Sequence, residues 1–185
     1  MEKVDYGPLS PLFGTWSGDK GVDKSPEKDG LNENLYHEKI IFTQIGEVEN
    51  AESQVLAAVH YHQIVIDKAD GDTIHNETGY WMWDAKSKTV IHSFTIPRGV
   101  CVIAGGKYNG ELDSDGCAVI EVEANADSKD WGIIQAPFMN KKARTVSFTQ
   151  KVIIGSGKFS YFETSTVEIY GKIFEHTDQN ELRPL

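Results

Sequence analysis

The sequence predicts an all-β fold, a sandwich or a barrel, on three observations. Short runs of β-branched and aromatic residues follow a period of two. Turn residues recur at short intervals between those runs. No long stretch carries the 3.6-residue period of an amphipathic helix.

Taken in order, Pro8-Leu9-Ser10-Pro11-Leu12-Phe13 reads as a short helical plug ahead of Gly14-Thr15-Trp16. Gly18 to Asn34 is polar, charged and glycine-rich, which predicts a long exposed loop. Tyr36 to Thr43 reads as a strand with mixed faces. Val55 to Ile66 is a β-prone run, although its alanine-rich start is also compatible with helix. Asp70-Gly71-Asp72 marks a reversal before the aromatic strand Thr78 to Trp83. Thr89 to Ile96 and Gly99 to Ile103 are β-branched and apolar. Asn109-Gly110 and Asp113 to Gly116 mark another reversal, and Ala118 to Ala124 alternates as AVIEVEA. Asn125 to Ala143 is irregular, with Trp131, Phe138 and Met139 as candidate lid residues. Arg144 to Ile154 and Lys158 to Ile169 are strands joined by Gly155-Ser156-Gly157, a hairpin signal.

Length and composition bound the rest. The 185 residues suit one domain spanning 1–185, with 39% hydrophobic and 25% charged residues, an ordinary globular balance. Charge counts of 18 and 28 give a net −10, which argues against nucleic acid, because phosphate neutralisation needs clustered Lys and Arg. No run approaches the ~20 apolar residues of a membrane helix. Met1-Glu2-Lys3-Val4-Asp5 lacks a secretory leader pattern, so a cytoplasmic location is expected. Cys101 and Cys117 read as reduced thiols rather than a disulfide framework.

Chemistry is sought first among the histidines. His60 and His62, at i and i+2 on a strand, share one face and could hold a divalent metal through imidazole nitrogen. The stretch from His60 to Asp67 is similar to the first metal motif of cupins, with Asp67 where that motif has Glu. Glu163 with Glu168, or Glu121 with Glu123, are candidate carboxylate pairs. The second pair sits in an alternating strand and reads as solvated exterior. Ser147 and Ser160 have no nearby base in the sequence, so hydrolase chemistry is unsupported. Arg98, between two apolar strands, could meet an anion with its planar fork of donors.

Three segments together resemble the nitrobindin-like haem-binding β-barrels, which look like lipocalin and fatty-acid-binding barrels. The first is Pro8 to Gly18, a short helix followed by a G-x-W-x-G strand. The second is Ile74-His75-Asn76-Glu77-Thr78-Gly79-Tyr80-Trp81, followed by the Pro97-Arg98-Gly99-Val100 step. The third is the closing pair of strands, from Tyr161 through Thr164, Thr166 and Gly171 to His176. The resemblance implies a ten-stranded antiparallel up-and-down β-barrel with a pocket at one end. It implies ferric haem b with His176 as axial ligand, and His75, Ile96 and Thr166 at pocket positions. Arg98 would steer an anion or a haem propionate. The activity implied is reaction with nitric oxide and isomerisation of peroxynitrite to nitrate. The sequence departs from the family after G-x-W-x-G, reading Gly18-Asp19-Lys20-Gly21, and after His176, reading Thr177-Asp178-Gln179-Asn180-Glu181. Those polar flanks keep a second expectation open, a barrel carrying a lipid or other hydrophobic small molecule without haem. The divalent-metal site on His60 and His62 is the third.

Overall fold

The computed structural model describes residues 4–185. Met1 to Lys3, part of the leader reading, lie outside the described residues. A 3₁₀ helix, Gly7–Leu12, leads into β1 (Gly14–Glu27), β2 (Gly30–Asn50), β3 (Gln54–Asp67), β4 (Thr73–Asp84) and β5 (Thr89–Ile96). Then follow β6 (Val100–Lys107), β7 (Ala118–Asn125), β8 (Ile133–Gln135), the one-turn helix α1 (Pro137–Lys142), β9 (Ala143–Gly155), β10 (Lys158–Ile169) and β11 (Lys172–Pro184). The strands pair antiparallel in the order β5-β4-β3-β2-β1-β11-β10-β9-β7-β6, and β6 returns to β5. Ten strands therefore close a barrel, the expected fold.

The seam is weakest between β6 and β7, which share one pair of facing residues, Gly105 and Glu123. The short β8 repairs that gap by pairing with Val100, Cys101 and Val102 of β6. On its other side Gln135 acts as a surrogate backbone. Its side chain accepts from Thr145 N and donates to Thr145 O, both at 2.8 Å. The expected irregular stretch from Asn125 to Ala143 is thus largely ordered wall and rim. Trp131 packs on Gly105, Met139 faces the interior, and Phe138 points to solvent.

The polar segment from Gly18 to Asn34 is not a loop. It forms the paired ends of β1 and β2, with a turn only at Lys28 and Asp29. The loop reading fails because it relied on apolar inward residues. Here the inward positions of β1 are Gly18, Gly21, Asp23 and Ser25, which carry no hydrophobic period. Gly21 is required by close approach, since a Cβ there would lie 2.1 Å from the Tyr36 ring. The alanine-rich start of β3 is strand, and Cys101 and Cys117 are both free thiols.

The barrel is filled at one end only. The 3₁₀ helix plugs that end with Leu9 and Leu12, both essentially inaccessible. Burying each contributes about 1.5–3 kcal/mol. Trp16 Nε1 donates to Leu12 O at 2.6 Å, which ties the plug to β1 and explains the tryptophan of the G-x-W-x-G segment. Above this core, Phe42, Tyr61, Trp81, His92 and Phe159 form an aromatic layer. Beyond that layer the barrel is hollow. Among the described residues no helix is long and apolar enough to cross a membrane.

Candidate functional site

The hollow end is a cavity of about 430 Å³, within the ~300–1,000 Å³ range of small-molecule sites. Its two sides differ. Phe94, Ile96, Val100 and Val102 line one side, with Phe148 and Met139 beside them. The opposite side and the floor are polar, and two of the strands that build them, β1 and β11, carry no hydrophobic period over their cavity-facing part.

Register builds the polar side. Asn34, Asp23, Asp178, Glu163 and Gln150 are successive facing partners across β2, β1, β11, β10 and β9. One inward row therefore carries three adjacent carboxyl groups. Like charges directly opposite on a sheet repel. Two devices relieve the repulsion. His176 lies two residues from Asp178 on β11 and shares its face; its Nε2 lies 2.5 Å from Asp23 Oδ1 and 3.2 Å from Asp178 Oδ2. Burial opposes the imidazolium, but hydrogen bonds to and the charges of Asp178 and Asp23 prevail and push its pKa up to about 10. Asp23 is held low in turn: burial is outweighed by donors from His176 and Asn34. The second device is Glu163. Burial, then the charges of Asp178 and Glu77, push its carboxyl well above the usual range, which disfavours a third negative charge in the row.

The floor is a hydrogen-bonded layer. Glu38, almost wholly buried, accepts from Gln63 Nε2 at 2.6 Å, Asn180 Nδ2 at 2.7 Å and Tyr161 OH at 3.1 Å. Burial pushes its pKa up to about 7 against those donors. Tyr36 OH meets Tyr161 OH at 2.8 Å. Tyr61 OH donates to Glu77, whose other oxygen faces His75 Nε2 at 3.2 Å. Burial disfavours charge on His75, but Glu77 prevails and raises its pKa. Behind them His92 is sealed against Trp81, ring centroids 3.9 Å apart, and burial drops its pKa to about 3.

The sequence-derived candidates separate cleanly. His176, His75, Ile96 and Arg98 all border the cavity. Arg98 stands at the exposed mouth, its Nη2 3.5 Å from Ile74 O. Thr166 does not border it. Alternation along β10 turns Ser165 and Val167 inward instead, and Ser165 is the facing partner of His176. His60 and His62 lie on the barrel exterior, satisfied by Thr78 Oγ1 and Asn76 Oδ1 at 3.0 Å each. Glu121 and Glu123 are exposed, as expected. Glu168 is exposed and near Arg144, so it does not pair with Glu163. Sequence reasoning missed Asp23, Glu77, Asp178, Tyr36 and Gln63. The local signals were the His-x-Glu spacing of His75 and Glu77 and the His-x-Asp spacing of His176 and Asp178.

Haem sets a definite requirement here. An axial imidazole must offer the iron an unprotonated nitrogen. In this arrangement Nε2 of His176 is held between two carboxylate oxygens, so an axial bond would have to displace both contacts. A porphyrin face on that nitrogen would also meet Asp23 and Asp178. The residues as placed do not fit an axial ligand.

The profile of a family described as THAP4-like, heme-binding beta-barrel domain matches residues 5–183. No curated protein matches the chain. Among solved structures, the crystal structure of Rv2717c from M. tuberculosis is similar, with a TM-score of 0.70 and 22% identity over 98% of this chain and 99% of that one. That likeness concerns the fold.

Proposed function

The chain belongs to the THAP4-like haem-binding β-barrel domain family, and from that premise we propose that it binds one amphipathic small molecule inside the barrel. The observation that carries this reading is the divided cavity, apolar on the β5–β6 side and hydrogen-bonding on the β1–β11–β10 side. An apolar body would pack on Phe94, Ile96 and Phe148, gaining about 25 cal/mol per Å² removed from water. A hydroxyl or other donor would face Glu77, Asp178 and Glu163. A free carboxylate is disfavoured there, because Asp23, Glu77 and Asp178 already face that space. This refines the expectation of a carrier for hydrophobic ligands.

The test is uptake of the uncharged fluorescent probe N-phenyl-1-naphthylamine, competed by decanol and by decanoate. Saturable one-to-one uptake is expected, with decanol the better competitor. Val167→Trp, which fills the cavity, should weaken uptake at least tenfold. Uptake unchanged in Val167→Trp would place the probe elsewhere and defeat the reading.

Family membership favours a second reading, haem b held by His176 with His75, Ile96 and Arg98 around it. It requires His176 to leave both carboxylates. Reaction of ferric haem with nitric oxide and isomerisation of peroxynitrite to nitrate depend on this reading. A sharp Soret band at one equivalent of hemin, lost in His176→Ala, would support it.

A further inference from the structure

The geometry points to a divalent transition-metal site formed by Asp23, His176 and Asp178 on the polar wall of the cavity. Among the described residues this is the one group of three metal-ligating side chains whose ligand atoms all lie within 4.8 Å of one another. It is built by regular structure. Asp23 and Asp178 are facing partners across β1 and β11, and His176 is two residues from Asp178 on the same face. Strands fix these positions more firmly than loops would.

The donor set is chemically coherent. One imidazole nitrogen and two carboxylate oxygens suit Zn²⁺, Co²⁺ or Mn²⁺. The carboxylates that obstruct a porphyrin on His176 are themselves ligands for a bare ion. The ion would replace the proton now held between them: Nε2 loses H⁺ to solvent and its lone pair binds the metal, with no change in oxidation state. It would also neutralise the row of acidic groups that extends to Glu163. The Asp178 carboxylate meets no side-chain donor other than His176 among the described residues, so it is available. Asp23 is further oriented by Asn34 Nδ2 at 2.7 Å and Ser25 Oγ at 3.0 Å, the supporting contacts that well-formed metal sites use. Three protein ligands leave coordination positions open toward the cavity, the pattern of sites that polarise a bound molecule. The site does not depend on whether the cavity also takes an amphipathic molecule.

The experiment is titration of the full chain with Co²⁺ followed by visible absorption, and with Zn²⁺ by calorimetry. One ion per chain is expected. Asp178→Asn, nearly isosteric, should weaken binding by more than about 100-fold. His176→Ala should abolish the Co²⁺ spectrum, with circular dichroism reporting that the barrel is intact. His60→Ala/His62→Ala should bind as the wild type does. Absence of any binding by the wild type at millimolar ion overturns the proposal. So does binding unchanged in Asp178→Asn, or binding lost only in the His60/His62 variant. Probe uptake by the cavity, measured on the same proteins, reports separately on the amphipathic-ligand reading.

Discussion

Replacing Glu38 by Gln tests the buried polar floor quantitatively. The side chain is 2% exposed and its pKa stands at about 7, against an ordinary 4.5. An acid whose folded pKa is raised is at home protonated. Its contribution to stability is fully present below pH 4.5 and is lost as pH rises through about 7. The whole change is roughly 3 kcal/mol at about 1.4 kcal/mol per pH unit, and about 2.5 kcal/mol of it falls between pH 5 and pH 8.5. Glu38→Gln cannot ionise and lacks this loss. It carries a separate cost of about 1–3 kcal/mol, since an amide cannot accept from all three donors, and that offset is much the same at both pH values. His176 adds its own alkaline loss, beginning near pH 6.5 and complete above about 10; subtracting wild type from variant removes it. The assay is urea unfolding at pH 5 and pH 8.5 followed by tryptophan fluorescence. The variant should gain about 2.5 kcal/mol relative to wild type between the two. A constant difference, or a variant that falls further behind at pH 8.5, would show instead that the buried carboxylate is stable ionised.

Gly79→Ala should destabilise by about 1–3 kcal/mol in the same unfolding assay, because its Cβ would lie 2.1 Å from Ser93 O, a backbone atom that cannot move alone. Phe148→Ala should cost about 3–5 kcal/mol and enlarge the cavity, read as a lower urea midpoint of unfolding and as uptake of bulkier probes. Arg98→Ala should leave stability within about 0.5 kcal/mol, since the side chain is exposed at the mouth. Measured by thermal unfolding, a larger loss would show that Arg98 braces the rim.

The legible part of the fold is the part whose interior is apolar. Along β3, β4, β7 and β9, inward residues such as Val59, Trp81, Ile120 and Val152 are hydrophobic, so the period of two appears in the sequence. Along β1 and β11 the inward residues are Gly21, Asp23 and Ser25, then His176, Asp178 and Asn180. These strands form because their neighbours pair with them, not because they alternate in hydropathy. For the same reason the site was only partly visible. His75, Ile96 and His176 were named through a resemblance and Arg98 from its place between two apolar strands, whereas the acidic row exists only in the register of five strands. Thr166 illustrates the remaining weakness: an error of one residue moves a side chain through the wall.

His176 Nε2 contacts both Asp23 and Asp178, and on the proposed reading it serves those aspartates rather than a porphyrin iron. Hemin titration of wild type and His176→Ala, followed by absorption, tests it most directly. Any hemin taken up should give the same spectrum in both proteins. A sharp one-equivalent Soret band present in the wild type and absent from the variant would contradict it.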